Sequence, residues 1–289
     1  MKKTGLVLSL FLAASAIVNA QITAEVILPQ EQFLPGESMP LTVRVVNRSG
    51  RTLEMGSDQE WLSFSVESKD GYVVTRKGEV PVNDAPFTLP SAKEARRYVD
   101  IAPYFSFPRQ GRYVVRATVF IKEWNQEVTS PPAEFDVIIG SEMWSQEVGI
   151  PKQPGATNDA PEIRRFTLHQ ANYLKKGLML YVQISDANRQ VLRVFPVGPM
   201  LSFGRPDPQI DSESNLHLFY QSGRQSYNYT VIDPSGTTLL RQTYEMSGVR
   251  PKLKLNSDGK FEVVGATRRI RATDLPPPAL ANDVSDEKP

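Results

Sequence analysis

A short-period alternation, repeated between turn residues, sets the strongest limit on what this chain can fold into. In GRYVVRATVFI, residues 111–121, Tyr113, Val115, Ala117, Val119 and Ile121 stand two apart. Side chains two apart on a strand share a face, so such a run buries one face of a sheet and does not suit a helix. The same period appears at Ile22, Ala24, Val26 and Leu28, and at Leu41, Val43 and Val45. Further runs lie at Trp61–Val66, Tyr72–Val74, Arg97–Ile101 and Phe135–Ile139. Between them stand Pro35-Gly36, Asn47-Arg48-Ser49-Gly50, Lys69-Asp70-Gly71 and the stretch from Pro108 to Gly111. Such residues supply the positive or fixed φ and the side-chain hydrogen bonds that tight turns need. About seven short strands in roughly 120 residues is the spacing of a two-sheet sandwich.

Composition agrees with that reading. The chain has 23 prolines and no cysteine. Frequent proline favours short strands joined by turns, and without disulfides stability has to come from burial alone. The formal net charge is +1, which implies no strongly basic face and makes nucleic acid an unexpected partner. The first twenty residues, MKKTGLVLSLFLAASAIVNA, join Lys2 and Lys3 to a short apolar run and end on small residues at Val18-Asn19-Ala20. That is the pattern of a signal peptide over residues 1–20, cleaved near Ala20. The apolar run is shorter than the roughly 20 residues that span a bilayer. A periplasmic or secreted chain with no integral membrane segment is the expectation.

Pro35 to Asn47 reads Pro-Gly-Glu-x-x-x-Leu-x-Val-x-Val-x-Asn. It resembles the first hairpin of bacterial immunoglobulin-like modules, small proteinase-inhibitor domains of that fold among them. Gly111-Arg112-Tyr113-x-Val115 resembles their sixth strand. The resemblance implies an immunoglobulin-like β-sandwich over residues 21–140. It implies a tyrosine corner, with the Tyr113 hydroxyl bonded to backbone near the Ser106–Gln110 turn. Val115 would then pack where cysteine-containing relatives place a disulfide sulfur.

Residues 141–161 are rich in Pro, Gly, Asn and Gln without a sustained period and read as a linker, with Met143-Trp144 docking on one of the two domains. Strands return over 162–272, at 178–198, 215–244 and 260–270. The lead-ins PQIDSESN and PKLKLNSDGK echo one another, and this part of the chain is similar to β-propeller blade repeats. There is room for about three blades, fewer than the four or more of a closed propeller. Two arrangements follow: an open antiparallel meander packed on the first domain, which is the expectation, or an incomplete propeller completed by another chain. The fold class is thus all-β, an immunoglobulin-like β-sandwich followed by a blade-like antiparallel β-meander. The tail, 273–289, carries a proline triplet and then small and acidic residues and reads as extended.

Motifs for chemistry are sparse. There is no G-x-S-x-G and no cysteine, and the two histidines, His169 and His217, stand without a partner pattern. A metal site can be drawn from Asp207, Asp211, Glu213 and His217, since oxygen ligands at alternating spacing suit calcium, but the glycine-containing loop of calcium motifs is missing. No catalytic, cofactor-binding or metal residue is expected, and no cofactor. Surface contact is expected at Trp124 and Trp144, whose rings suit a protein or glycan, and at the basic run Arg268, Arg269 and Arg271. Arg250, Lys252 and Lys254 also alternate on one face; charges of that kind often protect an edge strand. The functional expectation is an exported, non-enzymatic binding or scaffold protein that contacts a protein partner, an envelope component or a glycan. Self-association through the C-terminal sheet is a further partner expectation. The alternative is a polysaccharide-acting hydrolase with an accessory immunoglobulin-like module, which needs two carboxylates facing one cleft.

Overall fold

The computed structural model describes residues 21–58, 60–82, 85–150, 162–173, 175 and 177–276. The expected signal peptide, residues 151–161 of the expected linker and residues 277–289 of the expected tail lie outside the described residues. The described chain is all-β apart from two 3-10 turns, Ala102–Tyr104 and Lys122–Trp124. It divides into two compact units. One runs to Phe33 and resumes over Ser38–Ile138; the other holds Leu34–Glu37 and the chain from Ile139 onward.

The first unit contains β1 (Ile22–Ile27), β2 (Gln32–Phe33), β3 (Pro40–Asn47), β4 (Leu53–Met55), β5 (Leu62–Ser68) and β6 (Thr75–Arg76). It continues with β7 (Phe87–Leu89), β8 (Lys93–Asp100), β9 (Phe105–Ser106), β10 (Gly111–Ile121), β11 (Gln126–Thr129) and β12 (Ala133–Val137). One sheet has the order β1-β3-β8; the other has β11-β10-β12-β2, with β5 also paired to β10. All these pairings are antiparallel except the parallel pairing of β12 with β2. Both sheets feed one core, from Val26, Leu41, Val43 and Val45 on one side and Phe64, Val66, Val115 and Phe135 on the other. On β10 the expected inward set, Tyr113, Val115, Ala117, Val119 and Ile121, is completely buried. Trp61 belongs to the same core, edge-on to Phe87 at 5.7 Å.

The Tyr113 hydroxyl donates to the Arg109 carbonyl oxygen at 2.7 Å, inside the expected turn. The Tyr113 ring stacks on Phe135 at 5.7 Å, and Phe107 meets it edge-on at 5.3 Å. This ties the start of β10 to the turn before it, and Val115 is buried two residues on with no need of a disulfide. Tyr113→Phe keeps the ring and removes one partly buried hydrogen bond. A loss of about 1–2 kcal/mol is expected, read as a lowered midpoint in urea unfolding with unchanged slope. An unchanged midpoint would mean that the hydroxyl contributes nothing to the turn.

The second unit contains β13 (Ser141–Gly149), β14 (Ile163–Tyr173), β15 (Gly177–Asp186), β16 (Val191–Pro199), β17 (Asp207–Ile210) and β18 (Leu216–Gln221). After them come β19 (Ser226–Ile232), β20 (Thr238–Met246), β21 (Lys252–Leu255), β22 (Phe261–Val264) and β23 (Ala266–Arg269). They form a four-stranded meander, β13-β14-β15-β16, a five-stranded sheet, β17-β18-β19-β20-β23, and the hairpin β21-β22. The two larger sheets share a core that includes Phe166, Leu168, Val182, Ile184, Leu216, Leu218 and Ile232. Alternation along β18 and β19 places Phe219, Tyr227, Tyr229 and Val231 in a second cluster, which Leu253, Phe261 and Val263 of the hairpin complete.

Two stretches differ from the sequence reading. Ser141–Gly149, expected to be linker, is strand β13, paired with β14 from Ser141↔Gln170 to Gly149↔Ile163. The strand lies at the sheet edge, so one face suffices: Val148 is buried, and Met143 and Trp144 pack against the core. Backbone pairing with β14 supplies what the side-chain pattern lacks. At the start of the tail, Asp274 is buried and Leu275 exchanges backbone hydrogen bonds with Arg241.

The echo between lead-ins has a structural cause. The hairpins β15-β16, β17-β18, β19-β20 and β21-β22 turn at Asp186–Gln190, Asp211–Asn215, Asp233–Thr237 and Asn256–Lys260. In each, the Oδ1 of the first residue accepts the N–H of the fifth. In each, the first residue's N–H donates to the fifth residue's carbonyl. The fourth residue has positive φ: Arg189 63°, Ser214 66°, Gly236 88° and Gly259 74°. Asp and Asn suit the first place because their side chains hydrogen-bond their own backbone in tight turns.

Candidate functional site

A cleft of about 310 Å³ opens in the second unit beside β18, β19 and β21. Phe219, Tyr227 and Pro251 give it an apolar lining, and Tyr220, whose ring lies in the core between the two larger sheets, borders it from β18. Phe219 and Tyr227 stack at 5.3 Å with planes 12° apart and are almost wholly buried, so they form a fixed floor. Tyr220 is held from behind: its hydroxyl accepts from the Asn228 amide at 3.2 Å, and burial pushes its pKa up. Gly198 makes room for that hydroxyl, since a Cβ there would stand 2.6 Å from it. Polar groups line the rest: Arg205, Asp207, Gln221, Arg250 and Lys252. Arg205 comes from the loop before β17, whereas Arg250 and Lys252 flank the buried Pro251 at the start of β21.

One strand pair further along the same sheet face, a chain of hydrogen bonds joins Asp211, His217 and Tyr229. His217 Nε2 lies 2.9 Å from Asp211 Oδ2, and His217 Nδ1 lies 2.6 Å from the Tyr229 hydroxyl. A neutral imidazole with its proton on Nε2 satisfies both partners, donating to the carboxylate and accepting from the phenol. Phe261 of the hairpin lies against His217 at 4.6 Å between ring centroids. Burial pushes the Tyr229 hydroxyl well above its ordinary range. For Asp211, burial pulls upward, but hydrogen bonds from His217 and Asn215 outweigh it and hold the carboxyl below the usual aspartate value.

Asp207, Asp211, Glu213 and His217, which the sequence reading set aside as a ligand set, have partners of other kinds in the structure. Asp211 accepts backbone N–H groups of Glu213 and Asn215 as well as the imidazole. Asp207 accepts from the Gln209 amide at 2.8 Å. Among the described residues no group of three or more His, Asp or Glu side chains is placed to hold a metal ion. His169 is half-buried and lies 3.2 Å from Gln183 Oε1; burial lowers its pKa.

Of the expected contact residues, Trp124 belongs to the first unit, and Trp144, Arg268, Arg269 and Arg271 belong to the second. Trp124 ends a 3-10 turn and packs in part on the core of the first unit, beside a cavity of about 220 Å³ lined by Ile22 and Val128. Trp144 packs on the core of the second unit. Arg268 pairs with the buried Asp274 at 3.1 Å, and Arg269 pairs with Glu245 at 2.5 Å. The Arg271 backbone N–H donates to Asp274 at 3.3 Å. Arg268 and Arg269 lie on β23, an edge of the five-stranded sheet, where charge discourages strand addition. Arg250 and Lys252 were visible in the sequence as an alternating pair, but Arg205 and Gln221 were not. Only the fold brings a loop glycine-arginine, Gly204-Arg205, to the end of β18.

No protein-family model matches the chain, and no curated protein matches it. Among solved structures it is similar to Spo0M, a sporulation control protein from Bacillus subtilis, with 9% identity over 61% of this chain and 91% of that one. The TM-score is 0.29, so that likeness carries no argument about fold or function.

Proposed function

We propose that this chain is an exported, non-enzymatic binding or scaffold protein that takes its ligand on the second unit. The cleft beside β18, β19 and β21 carries this reading: its floor is rigid and apolar, its rim is polar, and its volume lies in the small-molecule range. The Asp211–His217–Tyr229 chain favours a structural role, because Asp211 also closes the β17-β18 turn and the His217 side chain is 12% exposed. A glycoside hydrolase needs two carboxylates across one cleft. Asp207 is the single carboxylate among the described residues of the lining.

The finer fold readings belong with this proposal. The order β1-β3-β8 facing β5-β10-β12-β2, with β2 parallel to β12, supports the immunoglobulin-like reading of the first unit. The two up-and-down meanders of the second unit support the blade-like reading in connectivity. Export rests on residues 1–20. Self-association through the five-stranded sheet is less well supported, because its β23 edge carries Arg268 and Arg269.

The test is to incubate the purified chain with a panel of glycans and envelope peptides, with and without EDTA, following both binding and turnover. Binding without turnover is expected. Turnover of a polysaccharide, abolished in Asp211→Asn or His217→Gln, would overturn the binding reading and establish the hydrolase.

A further inference from the structure

We infer that the cleft beside β18, β19 and β21 takes a small organic anion: a ring or short apolar body that carries a phosphate or carboxylate group. The inference rests on the binding reading and names the ligand class. Arg205, Arg250 and Lys252 line the cleft, and none of them makes an ion pair among the described residues. Elsewhere some cations meet carboxylates, as Arg44, Lys69, Arg112 and Arg116 do, and others stand apart on the surface; what marks these three is that they converge on one concavity. In the cleft, three cations face one carboxylate, Asp207, which already accepts from Gln209. Two positive charges are left over on a concave, partly apolar surface, where low-dielectric walls strengthen the field.

Edge protection explains Lys252 and Lys254 on β21, but it does not explain Arg205. That residue belongs to the loop before β17 and reaches the same concavity from another part of the chain. Two guanidinium groups can each meet a carboxylate or phosphate through paired N–H donors. The floor of Phe219, Tyr227 and Pro251 accommodates the apolar face of the ligand body. The Gln221 amide, both donor and acceptor, suits a hydroxyl. A volume of about 310 Å³ admits a body the size of one sugar ring and excludes the interior of a folded polymer.

Isothermal titration calorimetry of the full chain at low salt tests this with glucose 6-phosphate, glucuronate and glucose. They share a ring and differ in charge. The expected order of affinity is glucose 6-phosphate, then glucuronate, with glucose weakest; the first two separate phosphate from carboxylate as the preferred group. Arg205→Gln and Arg250→Gln should each weaken binding of the preferred anion at least about tenfold, the loss of one charge-assisted hydrogen bond. Both residues are exposed, so the unfolding midpoint should not move, and that measurement keeps a folding defect apart from a binding defect. Equal binding of glucose and the anions, insensitive to both variants, overturns the anion assignment and leaves the binding reading standing. No heat from any of the three also overturns it; the glycan and peptide panel then decides the binding reading separately.

Discussion

Phe135→Ala should lower the stability of the first unit by about 3–5 kcal/mol, the range for an aromatic ring truncated inside a packed core. Phe135 is 2% exposed and sits among three rings. Tyr113 stacks on it at 5.7 Å, while Phe33 and Phe107 meet it edge-on at 5.9 Å and 5.7 Å. Phe33 is on β2, Tyr113 on β10 and Phe135 on β12, so the truncation loosens three strands of one sheet at once. The neighbours cannot close the gap easily, because the Tyr113 ring is also tethered through its hydroxyl to Arg109. Urea unfolding followed by the fluorescence of Trp61 and Trp124, both in the first unit, in a Trp144→Phe background, reads this unit by itself. Phe135→Leu should cost clearly less, since it refills part of the volume. A Phe135→Ala midpoint within error of the parent would show that the ring cluster is not the core of the sandwich.

The first unit was largely legible in the sequence because its signal is local. Tyr113, Val115, Ala117, Val119 and Ile121 are buried as their two-residue period requires, and a single sheet face is enough to produce that period. The Tyr113 hydroxyl finds a carbonyl four residues back, again a local geometry. The turn at Asn47–Gly50 was legible for the same reason: Asn47 Oδ1 accepts the Ser49 N–H two residues on.

What escaped the sequence is what pairing in space decides. Strand β13 has a weak alternation and forms because β14 offers it a backbone edge. Asp274 is a buried carboxylate in a stretch that reads as a solvated tail; Arg268, six residues earlier, reaches it across a turn. The tyrosines of β19 could have faced core or solvent on period alone, and the hairpin β21-β22 buries that face. The cleft is the extreme case. Its cations come from two segments more than forty residues apart, and no period links Arg205 to Arg250. His217 had no visible partner, because Tyr229 lies on the neighbouring strand and Asp211 lies across a turn whose φ of 66° at Ser214 sets the approach.

Asp211→Ala should destabilise the second unit by about 2–3 kcal/mol, the scale for removing hydrogen bonds to a charged group from a partly buried site. The side chain holds two kinds of partner. Its Oδ1 accepts the N–H groups of Glu213 and Asn215, which close the β17-β18 turn. Its Oδ2 accepts from the Asn215 amide and from His217, whose other nitrogen holds Tyr229. Alanine would leave these donors unmatched beneath the hairpin. Asp211→Asn separates the two contributions. Its carbonyl oxygen can still close the turn, and its amide can donate to Nε2 if the imidazole proton moves to Nδ1 and donates to Tyr229. Asn should therefore retain more stability than Ala. The acid limb gives the sharper test. Because the folded state holds the Asp211 carboxyl below its usual value, the contribution of the charge is fully present above the ordinary aspartate pKa, about 4. It is lost as pH falls through the depressed folded-state value, since protonation then favours the unfolded chain. At about pH 4, where the folded chain still holds the Asp211 carboxyl ionised, the thermal midpoints of the parent and of Asp211→Asn should differ. Below that the gap should close. Parallel curves through the acid limb would mean that Asp211 is not held in its charged form by the imidazole and the turn, and that it serves the hairpin through shape alone.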